Sequence, residues 1–349
     1  MSTTQLLPRV GIDEGRSAAS PFTFLILLAS TFLLRLPALV SYPFCIDESY
    51  YAAGATELLA GGTFYRHVVD HKPPGIYLLY ALIYRIAGAY NQWAVHLTLL
   101  LAAALTAYLV GLLAQEFFTA RTGRWAGLLY AAASVVGPAN DFQAANTELF
   151  MNLPLVASCW LFARLWMRRQ ASRSEVFAMG FFLGLAILIR PQAAVVALPM
   201  AVVLYRRHVP LSSMAILALG TAFPLAVFAS WLWRTGALSD AMASLAYARF
   251  YASSLPFEVK LANGTLKTLF FLAINVGLVI PATAWILRAH RHDAAWQTGT
   301  ACVLLAWLAA SFIAVGAGGR FYPHYFIQVL PPFAVLAARQ LTLWRTEAA

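Results

Sequence analysis

Apolar runs of roughly twenty residues recur along the whole chain, separated by short loops that hold most of the charge, and they dictate what the sequence can fold into. In hydrocarbon every backbone N–H and C=O must be satisfied within the protein, which leaves helices or a closed barrel. Continuous apolar runs of this length, rather than short alternating ones, select helices. They fall at 21–40, 93–117, 124–138, 149–167, 211–233, 266–287, 299–317 and 324–342. Residues 176–205 are also largely apolar but are interrupted at Arg190-Pro191. Proline disfavours helix in the residue before it, so this stretch reads as two short spans joined by a tight turn. The expected fold is all-α: a polytopic integral membrane bundle of about ten transmembrane helices, read as a single domain over 1–349 with no soluble domain after the last span.

Composition agrees. With 61% hydrophobic and 11% charged residues the chain lies outside the range of soluble domains, whose apolar share is nearer half. The formal charge of +10 belongs to loops kept in the cytoplasm rather than to a nucleic-acid surface, because Lys and Arg stay on the untranslocated side. Cys45, Cys159 and Cys302 are too scattered for a disulfide framework. The first run follows a mixed-charge start (Arg9, Asp13, Glu14, Arg16) and ends in Ser41-Tyr42-Pro43, without the short core and small-residue cleavage site of a signal peptide, so it reads as an uncleaved span.

Charge also fixes the topology. With the N-terminus inside and 74–90 lying along the interface, the loops Arg121 to Arg124, Arg168 to Arg173, Arg206-Arg207, Arg288 to Arg291 and the tail at Arg345 all fall inside. Were 74–90 to cross, these basic turns would face out. The chosen parity places Asp47-Glu48, His71-Lys72, residues 140–148, the long loop 234–265 and Arg320 to His324 on one outer face.

The adjacent acids Asp47 and Glu48, just beyond the first span, are costly near hydrocarbon. A carboxylate can take a proton from an attacking hydroxyl or hold a divalent cation, and the pair could divide these tasks. Asp47 also stands where an N-cap belongs, before an expected interfacial helix over 48–60 with Tyr51, Ala55, Leu58 and Leu59 on one face and Gly61-Gly62 as its stop. Capping accounts for Asp47 alone, not for Glu48.

His71-Lys72-Pro73-Pro74-Gly75 sets a compact cation beside two prolines that fix its backbone, an arrangement suited to a phosphate oxygen or, more simply, to an interfacial anchor. The polar segment from Asn140 through Asn146 to Glu148 could bind sugar hydroxyls or cap the next span. In Arg320-Phe321-Tyr322-Pro323-His324-Tyr325, Arg320 and His324 suit a departing phosphate and Tyr322 a sugar or lipid chain, and Gly318-Gly319 provides a bend to turn Arg320 inward; the plain alternative is an aromatic belt with a snorkelling arginine. Arg190 could pair with a lipid phosphate or simply anchor its turn.

An acidic pair after the first span, Lys72-Pro73-Pro74 on the same loop, a polar loop ending in Glu148, and a late Arg320-x-Tyr322-x-His324-Tyr325 together resemble the membrane glycosyltransferases of the GT-C superfamily. The likeness runs from about Phe22 to Leu341. It is nearest to the branch that holds lipid A aminoarabinose transferases, lipopolysaccharide galacturonosyltransferases and protein O-mannosyltransferases. It implies a polyprenyl-phosphate-linked sugar donor and a hydroxyl acceptor of the cell envelope. It further implies a bacterial inner membrane location with the site facing the periplasm, Asp47 as the catalytic carboxylate with Glu48 beside it, and phosphate contacts from Lys72 and His71. No cofactor is implied with certainty, although a divalent metal at Asp47 and Glu48 is compatible. Two readings from other classes compete: a lipid-linked sugar flippase or transporter, and a non-catalytic assembly subunit. Coupled transporters place ionisable groups at mid-membrane, whereas no acid here lies mid-span.

Overall fold

The computed structural model describes residues 19–43, 45–168, 171–288 and 293–347; the expected charged start at Arg9 to Arg16 and the loop residues Arg169 and Arg291 lie outside these. Its helices are α1 (Pro21–Val40), α2 (Ile46–Leu59), α3 (Gly75–Ala87), α4 (Gln92–Phe117), α5 (Ala120–Ala133), α6 (Ala139–Phe142), α7 (Thr147–Arg168), α8 (Arg173–Ile189), α9 (Ala194–Arg206), α10 (Leu211–Arg234), α11 (Leu238–Ser253), α12 (Phe257–Ile274), α13 (Val276–Arg288), α14 (Ala294–Gln297), α15 (Thr300–Gly316) and α16 (Leu330–Glu347). No strand occurs among the described residues, only an isolated bridge between Phe64 and Val68.

Local chemistry sets the boundaries. Ser20 caps α1 by accepting from the Thr23 N–H, with Pro21 in the first turn, and Ser172 and Glu175 form a reciprocal capping box at the start of α8. Gly61, at φ +96°, ends α2, and Gly88, at φ +95°, ends α3, conformations that side-chain-bearing residues avoid.

Ten spans were expected; among the described residues five helices are long and apolar enough to cross a bilayer, namely α1, α4, α7, α10 and the continuous Pro323–Glu347 segment. A sixth appears if α12 and α13 count as one, but they meet at a 95° bend rather than forming the single expected run 266–287. At the break, the backbone N–H and the side-chain amide of Asn275 both donate to the Phe271 carbonyl, so one residue doubly caps the end of α12. Helices α5, α8, α9 and α15 have 14, 17, 13 and 17 residues. At about 1.5 Å per residue they reach about 20–26 Å, short of a hydrocarbon core of about 30 Å. The expected outer loop 234–265 is instead mostly helix, α11 and the first half of α12.

Helices α4 and α7 pack on each other, on α5 and on α8, the Pro323–Glu347 segment is the most buried of the long helices, and α10 leaves most of its surface exposed. The contact of α10 with α8 is backbone-close: a Cβ on Gly180 would lie 2.1 Å from the Leu217 carbonyl oxygen and one on Gly220 2.3 Å from that of Phe177. Small residues at such crossings let dispersion replace the hydrophobic drive that lipid removes.

The two ends of the bundle differ in charge. At one end Arg168 pairs with Glu116, Arg164 with Glu175 and Arg339 with Asp293, while Arg207 and Arg345 lie over Trp166 and Trp125. Helix α7 runs from that end to the opposite one, where Thr147 and Glu148 meet the groups described next.

Candidate active site

Asp47 and Glu48 are in the first turn of α2, where neighbours point about 100° apart. They therefore diverge. The cap position falls to Cys45, which makes no side-chain cap bond, and this corrects the expected N-cap role of Asp47. Asp47 instead accepts from the Lys72 ammonium (Nζ to Oδ1, 3.0 Å). Glu48 turns into the protein, 5% exposed, with one oxygen 3.1 Å from His96 Nε2 and the other accepting from the Ala145 backbone N–H at 2.7 Å. The Tyr42 ring stacks on that of His96. Glu48 thus ties α2 to α4 and to the segment before α7.

Lys72 is placed by a stiff loop. Asp70 accepts from the Lys72 N–H (3.3 Å), from His71 Nδ1 (3.0 Å) and from the Tyr77 hydroxyl. Burial would raise the Asp70 carboxyl, but the His71 bond, the Lys72 charge and the Tyr77 bond outweigh it and hold it at about 2. Burial likewise works to lower Lys72, and the nearby Asp47 and Asp70 charges overcome it, so its pKa ends above the usual 10.5. After Pro73-Pro74, Gly75 starts α3 against the end of α8: a Cβ there would lie 2.5 Å from the Leu188 carbonyl oxygen. Only glycine allows that approach, which brings Lys72 beside Arg190 at the end of α8.

The ammonium also donates to the Tyr51 hydroxyl at 3.0 Å. On the other side of Asp47 stands His324, with Nε2 3.9 Å from Asp47 Oδ2 and Nδ1 bonded to Asp141. His324 packs against Tyr322, parallel at 5.7 Å, and Tyr325, edge-on at 4.9 Å, and the two tyrosine rings meet each other at 5.4 Å. Asp141 is on the single-turn α6, which is braced by Arg35 of α1: the buried guanidinium donates to the Ser134 and Phe142 carbonyls at 3.0 and 3.4 Å. The Asn146 side-chain amide donates to the Asp141 carbonyl at 3.1 Å.

Arg190, 6% exposed, pairs with fully buried Glu148, donates to Thr147 Oγ1 at 3.0 Å and stacks over the Tyr325 ring at 4.2 Å. Arg320 does not join this cluster. Gly319 takes φ +66°, giving the expected bend, but the Arg320 guanidinium turns to α11, bonding Ser254 Oγ at 2.6 Å and lying over the Tyr251 ring. The Lys267 ammonium supports the same bend by donating to the Arg320 carbonyl and lying over Tyr322.

Of the residues expected at the site, Asp47, His71, Lys72, Glu148, Arg190, Tyr322 and His324 form one connected group; Glu48 and Asn146 stand behind it and Arg320 to one side. Asp141 and Tyr325, which lay inside motifs singled out without a role of their own, join it, as do Tyr51 and Asp70. Two clefts meet at His71 and Lys72. A narrow one of 160 Å³ is also lined by Arg190, Gln192, Thr147 and Tyr325. A wider one of 620 Å³ is also lined by Asp47, Asp70, Asp240, Tyr50 and Tyr247. Arg190 Nε and Gln192 Oε1 are buried without a hydrogen-bond partner in the protein. Among the described residues no three His, Cys, Asp or Glu side chains converge as metal ligands. The adjacent pair does not offer a cation two carboxylates, because Glu48 is committed to His96 and Ala145.

Comparison with known proteins agrees with this architecture. Residues 71–233 match the family described as dolichyl-phosphate-mannose-protein mannosyltransferase. No curated protein matches the chain. Among solved structures, ArnT of Cupriavidus metallidurans bound to undecaprenyl phosphate is similar with a TM-score of 0.66 at 18% identity, over 93% of this chain and 61% of that one. The Archaeoglobus fulgidus oligosaccharyltransferase in complex with zinc and sulfate gives 0.54 at 16%, over 93% of this chain and 49% of that one. The archaeal oligosaccharyltransferase AglB from Archaeoglobus fulgidus, in complex with an inhibitory peptide and a dolichol-phosphate, gives 0.56 at 16%, over 93% of this chain and 51% of that one. The fold is shared with ArnT and the oligosaccharyltransferase over 93% of this chain, an all-helical membrane fold of the kind the sequence resemblance implied. The chain spans about three fifths of the length of ArnT and about half that of the oligosaccharyltransferase.

Proposed function

We propose that this chain is an inverting glycosyltransferase that moves a sugar from a polyprenyl phosphate to a hydroxyl of a cell-envelope glycolipid, polysaccharide or protein. The observation that carries the proposal is a single carboxylate, Asp47, held between Lys72 and His324 where two clefts of unlike charge meet. The acceptor hydroxyl gives its proton to Asp47 as its oxygen bonds to the anomeric carbon. The bond from that carbon to the phosphate oxygen breaks on the opposite face, and the electron pair leaves with the polyprenyl phosphate. Lys72 and Arg190 meet the developing negative charge, where fixed cations help most. His324, bonded to Asp141 on its far nitrogen, takes the proton onward.

Glu48, Asn146 and Glu148 hold the helices that present these groups, and Arg320 and Tyr322 shape the bend that carries His324. No step is assigned to a metal, since Asp47 is already engaged by Lys72 and Glu48 faces away. The arginine-rich end faces the cytoplasm of a bacterial inner membrane and the site the periplasm, following the bias of Lys and Arg. The flippase reading is disfavoured because the cluster sits at one end of the bundle, where a mid-membrane relay is absent among the described residues.

The test is purified full-length protein in proteoliposomes, offered a panel of radiolabelled polyprenyl-phosphate monosaccharides with membrane extract as acceptor. Label is expected to move from one donor with inversion at the anomeric carbon. Intact donors across the whole panel, from folded protein, would contradict the proposal.

A further inference from the structure

We infer that the wider cleft, between α2 and α11, receives the acceptor as an uncharged sugar presenting its hydroxyl, and rejects sugars phosphorylated beside that hydroxyl. The inference rests on the glycosyltransferase reading and adds to it the side on which the acceptor lies and the acceptor's chemical class.

Position comes first. Asp47 lines the wider cleft and not the narrower one, whereas Arg190 lines only the narrower. A base must touch the incoming hydroxyl, and a cation the leaving phosphate, so the two substrates divide across Lys72. The volumes agree: 620 Å³ against 160 Å³. The larger is within the range of about 300–1,000 Å³ usual for a small-molecule site.

Charge and hydrogen bonding then set the class. The wider cleft carries three carboxylates, Asp47, Asp70 and Asp240. Its one lysine, Lys72, is already bonded to Asp47 and Tyr51. Asp70, despite its burial held at about 2 by His71, Lys72 and Tyr77, is ionised near neutral pH. Ionised carboxylates only accept hydrogen bonds, so they are satisfied by hydroxyl donors and not by a phosphate, which brings acceptors and like charge.

Two tyrosines supply the remaining surface. Tyr50 and Tyr247 are 59% and 55% exposed at the cleft, from α2 and α11. Exposed tyrosine rings with polar tips offer an apolar face to the C–H face of a pyranose and a hydroxyl to its rim. Asp240, on the same helix as Tyr247, is fixed by Arg66, which also donates to the Thr235 and Gly236 carbonyls at the end of α10. The wall is therefore held in place.

The experiment uses the full chain in phosphatidylcholine nanodiscs, with hexyl glucoside, galactoside and mannoside as probes beside their 6-phosphates and a serine/threonine peptide. At least one neutral glycoside is expected to bind about tenfold more tightly than its 6-phosphate, with Tyr247→Ala weakening it about tenfold. Asp240→Asn should narrow the discrimination against the 6-phosphate. Equal or tighter binding of the 6-phosphates, binding of the peptide alone, or glycoside binding untouched by Tyr247→Ala would overturn the inference. Polyprenyl phosphate is measured in parallel, with Lys72→Met as its sensitive variant and Tyr247→Ala expected within about twofold of wild type. Bound polyprenyl phosphate without any bound glycoside refutes the acceptor assignment alone. Binding of neither refutes the glycosyltransferase reading as well.

Discussion

Replacing Lys72 with methionine is expected to lower the rate of transfer by about 100- to 1,000-fold. The ammonium is 3.0 Å from Asp47 and lines both clefts, so it is the group nearest both the base and the leaving phosphate. Charge that develops only as the phosphate departs is stabilised mainly in the transition state, so the loss should appear chiefly in kcat, with a smaller rise in KM. Steady-state kinetics in proteoliposomes separate the two; a loss confined to KM would place Lys72 in ground-state binding only. The pH behaviour has a definite sign. Asp47 and Asp70 hold the Lys72 pKa above 10.5, so on the alkaline side the ion pairs keep their full stabilising effect up to that value and lose it as pH rises through the folded pKa. Any alkaline fall in activity at lower pH belongs to another group.

Glu148→Ala should give the largest loss of stability, about 3–5 kcal/mol. Glu148 is fully buried and its partner Arg190 is 6% exposed, so removing the carboxylate strands a guanidinium in a low-dielectric interior. Thr147 and the Tyr325 ring remain as partners but carry no countercharge. Thermal unfolding in detergent measures the loss. Adding Arg190→Met should recover part of it, since the double variant buries no unpaired charge, while transfer stays low because the cation facing the narrow cleft is gone. A Glu148→Ala protein as stable as wild type would show that the pair is not the brace described.

Much of this was legible in the sequence, and the reasons for the misses are physical. Apolar runs located α1, α4, α7 and α10 because lipid demands continuous helix. The runs behind α5, α8 and α9 already read as short yet were counted as spans; run length could not show that α15 falls short of a full crossing, nor that α12 and α13 break at Asn275, because composition stays apolar through them. Lys72 was legible because Asp47 is only 25 residues before it and both flank one loop. The bond between Asp141 and His324 joins residues 183 apart, and nothing local in either segment specifies the partner. Adjacency misled at Glu48: next to Asp47 in the chain, it points the other way once α2 forms. Arg320 was expected at the site because a glycine pair precedes it; the bend is there, but Ser254 and Tyr251 of the 234–265 segment, read as loop, draw the guanidinium to α11.

The most direct test of the central claim is the transfer rate of Asp47→Asn beside wild type, with the donor that wild type uses and equal thermal stability established for both. The amide keeps the shape and the hydrogen bond from Lys72 but cannot take the acceptor proton. The account predicts loss of transfer while polyprenyl phosphate still binds; transfer near the wild-type rate would contradict it.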